Sequence, residues 1–290
     1  MYKVDNAIIM AAGTSSRFAP LSYERPKALI EVKGEILIER QIRQLRDAGI
    51  RDIYIVVGYK AEQFAYLQQK FGVHLVENKD YLVRNNHSSI YAVREVLRNT
   101  YICSADNYFP KNPFETHVDD SYYAAQYANG PTKEWCMQTD SDGYIVDVQV
   151  GGCNAWYMLG HAFWSEEFSK DFLKILLSVY DDPHTKNLFW EDILTAHIAQ
   201  LKMRLQKYAD DQIFEFDSID ELRAFDRSYV EDTRSSILKD IALRLNGKES
   251  DIINIHACKG ENTTAAGFRF EFRGSCYEYE YSKQKLKKVE

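Results

Sequence analysis

The stretch Ile8–Val32, IIMAAGTSSRFAPLSYERPKALIEV, decides the fold. It opens as a continuous apolar run closed by Gly13, the pattern of a strand buried on both faces of a parallel sheet. It then enters a loop with Thr14, Ser15, Ser16, two prolines and, among its cations, Arg17 and Lys27, before apolar residues resume. GxGxxG and GxxxxGK[ST] are both absent, so neither a dinucleotide fingerprint nor a Walker loop is present. Small residues after a first strand still let backbone N–H groups approach an anion. Arg17 can grip phosphate oxygens as a fork, and Lys27 supplies a point charge. The plainer alternative is an exposed loop with unrelated surface cations, and for either cation alone it is the better reading.

Working outward, helical spacing in ILIERQIRQLRDAG puts Ile38, Ile42 and Leu45 on one face, with Gly49 at a C-cap position. IRDIYIVVGY reads as a second buried strand, KAEQFAYLQQKFG as a helix, VHLVEN as a third strand and TYICSADNYF as a fourth. Between the last two, SSIYAVREVLR reads as a helix capped by Ser88 or Ser89. This alternation predicts an open, mostly parallel, Rossmann-like α/β sheet with helices on both faces. Ligands of such sheets bind beyond the carboxyl ends of the strands. Residues 13–27, Gly58 and Tyr59, residues 85–89 and Asp106 all fall there.

From about Tyr122 the pattern turns β-like, with DSDG as a hairpin signal. EFSKDFLKILLSVYDD and FWEDILTAHIAQL follow as helices, QIFEFDS as a strand, and residues 219–247 as further helix. Residues 250–290 read as a small β unit, two alternating strands around RGS. Domains are expected at 1–228 and 229–290, the second a helix plus β-hairpin, so a small α+β extension.

The 290 residues are 45% hydrophobic and carry a net charge of −7, a globular composition. That balance argues against a nucleic-acid polyanion as partner. Five scattered cysteines without CxxC read as reduced thiols of a cytoplasmic protein. The early apolar run is too short to span a membrane, and Asp5 rather than a basic segment precedes it.

The arrangement AAGxxxRFxPxxxxxPKAL resembles the signature of NTP:sugar-phosphate and NTP:phosphocholine nucleotidyltransferases over residues 1–228. The resemblance implies that Ala11, Ala12 and Gly13 lie near the nucleotide, with Gly58 and Tyr59 at the same end. It implies that Arg17 contacts the outgoing phosphates and that Lys27 lies at the reacting ones. SADNYF and FEFDSIDELRAFD look like the two metal-bearing segments, which makes Asp106 and Asp217 the implied Mg²⁺ ligands. Oxygen-only ligation suits that ion. Without the resemblance, a lone Asp after a strand is usually a turn residue or a helix N-cap.

KEWCMQTDSDGYIVDV, GHAFW and LFWEDIL are similar to the CTP:phosphocholine cytidylyltransferase family. So is RNNHSSIYAVREVL, where that family reads cytosine, which points to Asn86, Ser88 and Ser89. A quaternary ammonium is recognised by aromatic faces and a carboxylate. Trp135, Trp190 and Glu191 lie in the matching segments, while Trp156, Trp164, Tyr122 and Phe189 are weaker candidates. Any one tryptophan is as readily core, and Asp192 helix-surface charge. The resemblance thus implies CTP and phosphocholine as substrates and admits a homo-oligomer. The rival readings are a sugar-1-phosphate nucleotidylyltransferase and a catalytically silent nucleotide-binding protein. The tail KGENTTAAGFRFEFRGSCYEYEYS faintly resembles the first hairpin of choline-kinase-like phosphotransferases, a Gly-rich turn preceding two strands.

Overall fold

The apolar run after Asp5 is a central strand. In the computed structural model, which describes residues 1–260 and 265–289, Asn6–Ala11 (β1) has Ala7, Ile8 and Ile9 at 0% exposure. It pairs in parallel with Ile53–Val57 (β2) on one side and Thr100–Ser104 (β4) on the other. His74–Glu77 (β3) extends the sheet in parallel beyond β2. On the far side, Tyr122–Thr139 (β5) and Ile145–Trp164 (β6) form a long antiparallel hairpin around Asp140–Gly143, and β6 runs antiparallel to β4. Arg204–Lys207 (β7) closes that edge, parallel to β5. The seven-stranded order is β7-β5-β6-β4-β1-β2-β3, a mixed but mostly parallel sheet.

The chain divides into two compact units. Met1–Gly13 and Ile38–Glu215 make the first, which holds the sheet. Its helix Leu37–Asp47 buries Ile38, Ile42 and Leu45 completely, and Gly49 takes positive φ just past its end, as a C-cap glycine should. A core cluster joins Ile8, Val56 and Ile102 of the sheet to Phe168 and Phe172 of helix Glu166–Val179 and to Trp190 and Leu194 of helix Trp190–Ala196. Fully burying side chains of this size contributes about 1.5–3 kcal/mol each.

Thr14–Leu37 and Phe216–Glu290 make the second unit. It contains the short turns of the cationic loop, helix Ile219–Phe225, helix Ser236–Arg244 and an antiparallel sheet. The sheet runs in order through Ile252–Lys259 (β8), Ala265–Phe272 (β9), Ser275–Glu280 (β10) and Lys285–Val289 (β11).

Four local readings differ from the structure. The helix after residue 85 spans only His87–Ala92, its N-cap is Asn86, and Ser88 and Ser89 lie inside it. QIFEFDS is no strand, because only an isolated bridge joins Phe214 to Tyr108. The helical pattern over 219–247 breaks between Asp226 and Ser235, where both residues cap new turns with their side chains. Among the described residues, the stretch 250–290 has four strands where two are expected. Residues 261–264, part of the Gly-rich turn before the hairpin, lie outside the described residues.

Candidate active site

Sequence-selected residues gather in each unit. In the second, the loop leaves the strand end and folds into the turn Ser16–Phe18, helix Leu21–Glu24 and turn Lys27–Leu29. Pro26 precedes Lys27, which fixes the entry to that last turn. Phe18 is 2% exposed, and the Lys27 ammonium lies 5.6 Å from its ring centroid. Lys27 is itself 6% exposed, and a buried ammonium needs a partner. Asp217 provides one, with its Oδ1 3.8 Å from Lys27 Nζ. Its Oδ2 lies 2.6 Å from Arg17 Nη1.

Asp217 is free to do this because it does not cap the helix that follows. Ser218 is the N-cap and accepts from Glu221 N–H, while Glu221 accepts from Asp217 N–H at 2.6 Å. That exchange uses the backbone of Asp217 and leaves its carboxylate for the two cations. Asp217 thus bridges the two cations, with the Glu221 carboxylate on its backbone N–H.

In the first unit the strand ends are knitted together. Tyr59 N–H donates to Ala12 O at 3.0 Å. Gly58 sits so close that a Cβ there would meet the Tyr81 ring at 2.7 Å and Ala12 O at 3.0 Å, so only glycine lets these segments approach. Asp106, half-buried, follows the end of β4. Its segment is pinned by Ala105 N–H to Met10 O and by the Gln41 amide, which donates to the Ser104 and Asn107 carbonyls.

Asn78, just past β3, donates to both Ser88 Oγ (2.8 Å) and Ser89 Oγ (3.2 Å). The two serines are buried, so their hydroxyls serve this internal network. Asn86 acts as a clamp. Its Oδ1 accepts from Trp190 N–H at 2.7 Å, and its Nδ2 donates to Glu191 Oε2 at 3.1 Å. The Tyr123 hydroxyl donates to the other oxygen, Glu191 Oε1, at 3.1 Å. Glu191 keeps partial exposure, yet its protein surroundings push its pKa up from 4.5 to about 7, and the hydrogen bonds from Asn86 and Tyr123 only partly offset that desolvation.

The aromatic candidates separate by burial. Trp190 is 1% exposed, with Tyr123 stacked on it at 5.4 Å and Trp164 edge-on at 5.1 Å. Its face is thus covered by protein. Trp164 is fully buried, and Tyr122 bonds the buried His161. Trp135 is half-buried with the edge of exposed Phe189 at 6.0 Å, and Trp156 is half-buried beneath Lys207. Trp135, with Phe189 beside it, therefore keeps accessible aromatic surface. Tyr123 and Asn78 were not singled out from sequence. Asn78 carried a signal, its place at a strand's carboxyl end.

Mg²⁺ asks for hard oxygen ligands and keeps several waters or phosphate oxygens in its shell. Asp106 and Asp217 are of that kind, and no cluster of three or more His, Cys, Asp or Glu in ligating array occurs among the described residues. Each, in its own unit, offers carboxylate oxygens that suit an ion completed by phosphate and water rather than an all-protein cage.

The model of the MobA-like NTP transferase domain family matches residues 7–119. The 2-aminoethylphosphonate cytidylyltransferase of Lancefieldella rimae is 40% identical over 229 residues, covering 78% of this chain and 93% of that protein. The choline-phosphate cytidylyltransferase of Streptococcus pneumoniae is 36% identical over 217 residues, 75% of this chain and 95% of that one. The solved structure of the CTP:phosphocholine cytidylyltransferase of Streptococcus pneumoniae superposes with a TM-score of 0.74 at 35% identity, covering 78% of this chain and 99% of its own. The chain is a member of the nucleotidyltransferase family, in its cytidylyltransferase branch.

Proposed function

We propose that the protein transfers CMP from CTP to phosphocholine. The observation that carries this reading is the Glu191 carboxylate, clamped by Asn86 and Tyr123 in a segment next to the accessible ring of Trp135's partner Phe189. A carboxylate and aromatic faces suit a cationic head group that offers no N–H donor. A phosphonate reading has its own support. A relative at 40% identity is named for 2-aminoethylphosphonate, and the covered face of Trp190 leaves fewer rings for a quaternary ammonium. A primary ammonium would instead hydrogen-bond to Glu191.

The chemistry needs no strong base. The acceptor phosphate is largely dianionic at neutral pH. One of its oxygens forms a bond to the α-phosphorus of CTP, the α–β bridging P–O bond breaks, and pyrophosphate departs with the electron pair. Arg17 and Lys27 hold and neutralise the phosphates. Asp106 and Asp217 would hold Mg²⁺, which when bound supplies further charge neutralisation. Asn78, Ser88, Ser89 and Asn86 set the shape of the segment assigned to cytosine. Five unpaired cysteines support a reducing, cytoplasmic setting, and no helix among the described residues is long and apolar enough to cross a membrane.

The test is pyrophosphate release with each NTP against phosphocholine, phosphoethanolamine, 2-aminoethylphosphonate and glucose 1-phosphate. CTP with phosphocholine should give the highest kcat/KM. A preference for 2-aminoethylphosphonate moves the assignment to the phosphonate, and turnover confined to glucose 1-phosphate overturns both.

A further inference from the structure

Within the second unit, the loop that carries Arg17 and Lys27 is tied at several places to the chain beyond Phe216, among them four outside the ion pairs with Asp217. The Tyr23 ring stacks on Tyr281 with centroids 3.8 Å apart and planes 8° from parallel. The Glu24 carboxylate accepts from Ser236 N–H at 2.7 Å and from the Ser236 hydroxyl, so it sits on the N-terminus of helix Ser236–Arg244, where an anion is favoured. Tyr229 donates its hydroxyl to Glu31 O at 2.6 Å. Lys33 N–H donates to Asp226 Oδ2 at 2.7 Å.

A fifth relationship reaches Arg17 itself. A cavity of about 700 Å³ is lined by Arg17, Asp217 and Asp220 on one side and by Asn254, Ile255 and His256 of β8 on the other. The strand reaches this cavity through a bulge. Pairing with β9 runs from Ile253–Glu271 to His256–Arg269, so two residues of β8 oppose one of β9. Asn254 takes φ +52 at that point, a left-handed conformation Asn tolerates, and its N–H donates to Asp220 Oδ2 at 3.0 Å. Bulges of this kind re-aim side chains.

We propose that the C-terminal sheet β8–β11, with the helix before it, is a positioning element for the nucleotide loop. It holds the segment bearing Arg17 and Lys27 in one conformation, so CTP binding need not supply the ordering entropy of a free loop. This rests on the reading that the two cations grip the triphosphate. Tyr281 and Asn254 are the residues assigned to positioning. Tyr281 acts through Tyr23, and Asn254 through the bulge beside Arg17.

The experiment uses the full chain with Tyr281→Ala, Tyr281→Phe and Asn254→Val. Hydrogen exchange of residues 14–37 is read alongside the KM for CTP and for the acceptor. Losing one aromatic pair should speed loop exchange and raise the CTP KM by about fivefold, with the acceptor KM unchanged. Exchange across Ala7–Ala11 should not change. Tyr281→Phe keeps the ring and should behave as wild type. Asn254→Val, at an exposed position where a β-branched residue disfavours positive φ, should reproduce the effect and stands in if Tyr281→Ala fails to fold. Unchanged loop exchange in the folded variants overturns the proposal, as does faster exchange with an unchanged CTP KM. A wild-type chain that turns over no CTP overturns the triphosphate reading instead, while loop exchange still decides the brace.

Discussion

Asp217 Oδ2 lies 2.6 Å from Arg17 Nη1, and the pair is exposed, 78% on the arginine side and 40% on the aspartate side. An ion pair so open to water is screened and adds little to stability. On the proposed reading its place is functional, the carboxylate holding the guanidinium for the triphosphate. Arg17→Ala should shift Tm by no more than ~3 °C, whereas Asp217→Ala, which also strips a partner from the buried Lys27 ammonium, should lower it further. Each should lower kcat/KM by roughly a hundredfold, the scale of losing one preorganised charge contact. Melting curves and steady-state rates on the same preparations check this. A large Tm loss with near-normal turnover would make the pair a structural strut.

Asp106 bears on the proposed Mg²⁺. Its neighbours are pinned by Gln41 and Met10, so Asp106→Ala should leave the fold intact. Turnover with Mg²⁺ should fall below about a tenth of wild type, a barrier increase above ~1.4 kcal/mol. Mg²⁺-dependent strengthening of CTP binding, followed by calorimetry with and without chelator, should weaken in parallel. A variant that keeps both the rate and the Mg²⁺ effect removes Asp106 from the metal site.

How far the sequence could be read depended on whether a residue's role was local. The buried run before Gly13 and the cap at Gly49 are set by neighbours in sequence, and both stand as expected. Ser88 and Ser89 carry a good local cap signature, yet Asn78, on another strand, takes their hydroxyls, and Asn86 becomes the cap residue. Arg204–Lys207, RLQK, is a sheet-edge strand held by β5 and has no apolar alternation to reveal it. QIFEFDS has the alternation but gains only one bridge. The surroundings of Trp135 and Trp190 differ for the same reason. Both lie in matching segments, but the rings covering Trp190 come from Tyr123 and Trp164, far away in sequence.

That divergence can be measured. Trp190→Leu trims a side chain packed on every side and should cost about 2–4 kcal/mol of stability through the void it leaves. Trp135→Leu, at a half-buried ring, should leave Tm nearly unchanged and raise the acceptor KM by roughly five- to thirtyfold, with CTP KM unaffected. Denaturant titration and a KM series separate the two. If Trp135→Leu binds the acceptor like wild type, its ring is not part of the cation site.

Glu191 supplies a pH signature. Burial raises its pKa from 4.5 to about 7, so between those values the folded protein holds a proton that the unfolded chain releases. Stability therefore falls as pH rises through that window, by an amount of order ~1–3 kcal/mol, and levels off above pH 7. Glu191→Gln, which keeps the Asn86 and Tyr123 contacts in reach, should lack this slope in urea unfolding at pH 5, 6, 7 and 8. Activity should show the converse. The ionised carboxylate attracts the acceptor's cation, so acceptor KM should fall from pH 6 to pH 8. The acceptor phosphate's own second ionisation, with pKa ~6, contributes to both proteins and cancels in the comparison. Only the excess fall in the wild type reports Glu191. Matching acceptor KM profiles in Glu191→Gln and wild type would show that the carboxylate does not face the acceptor, whatever its effect on stability.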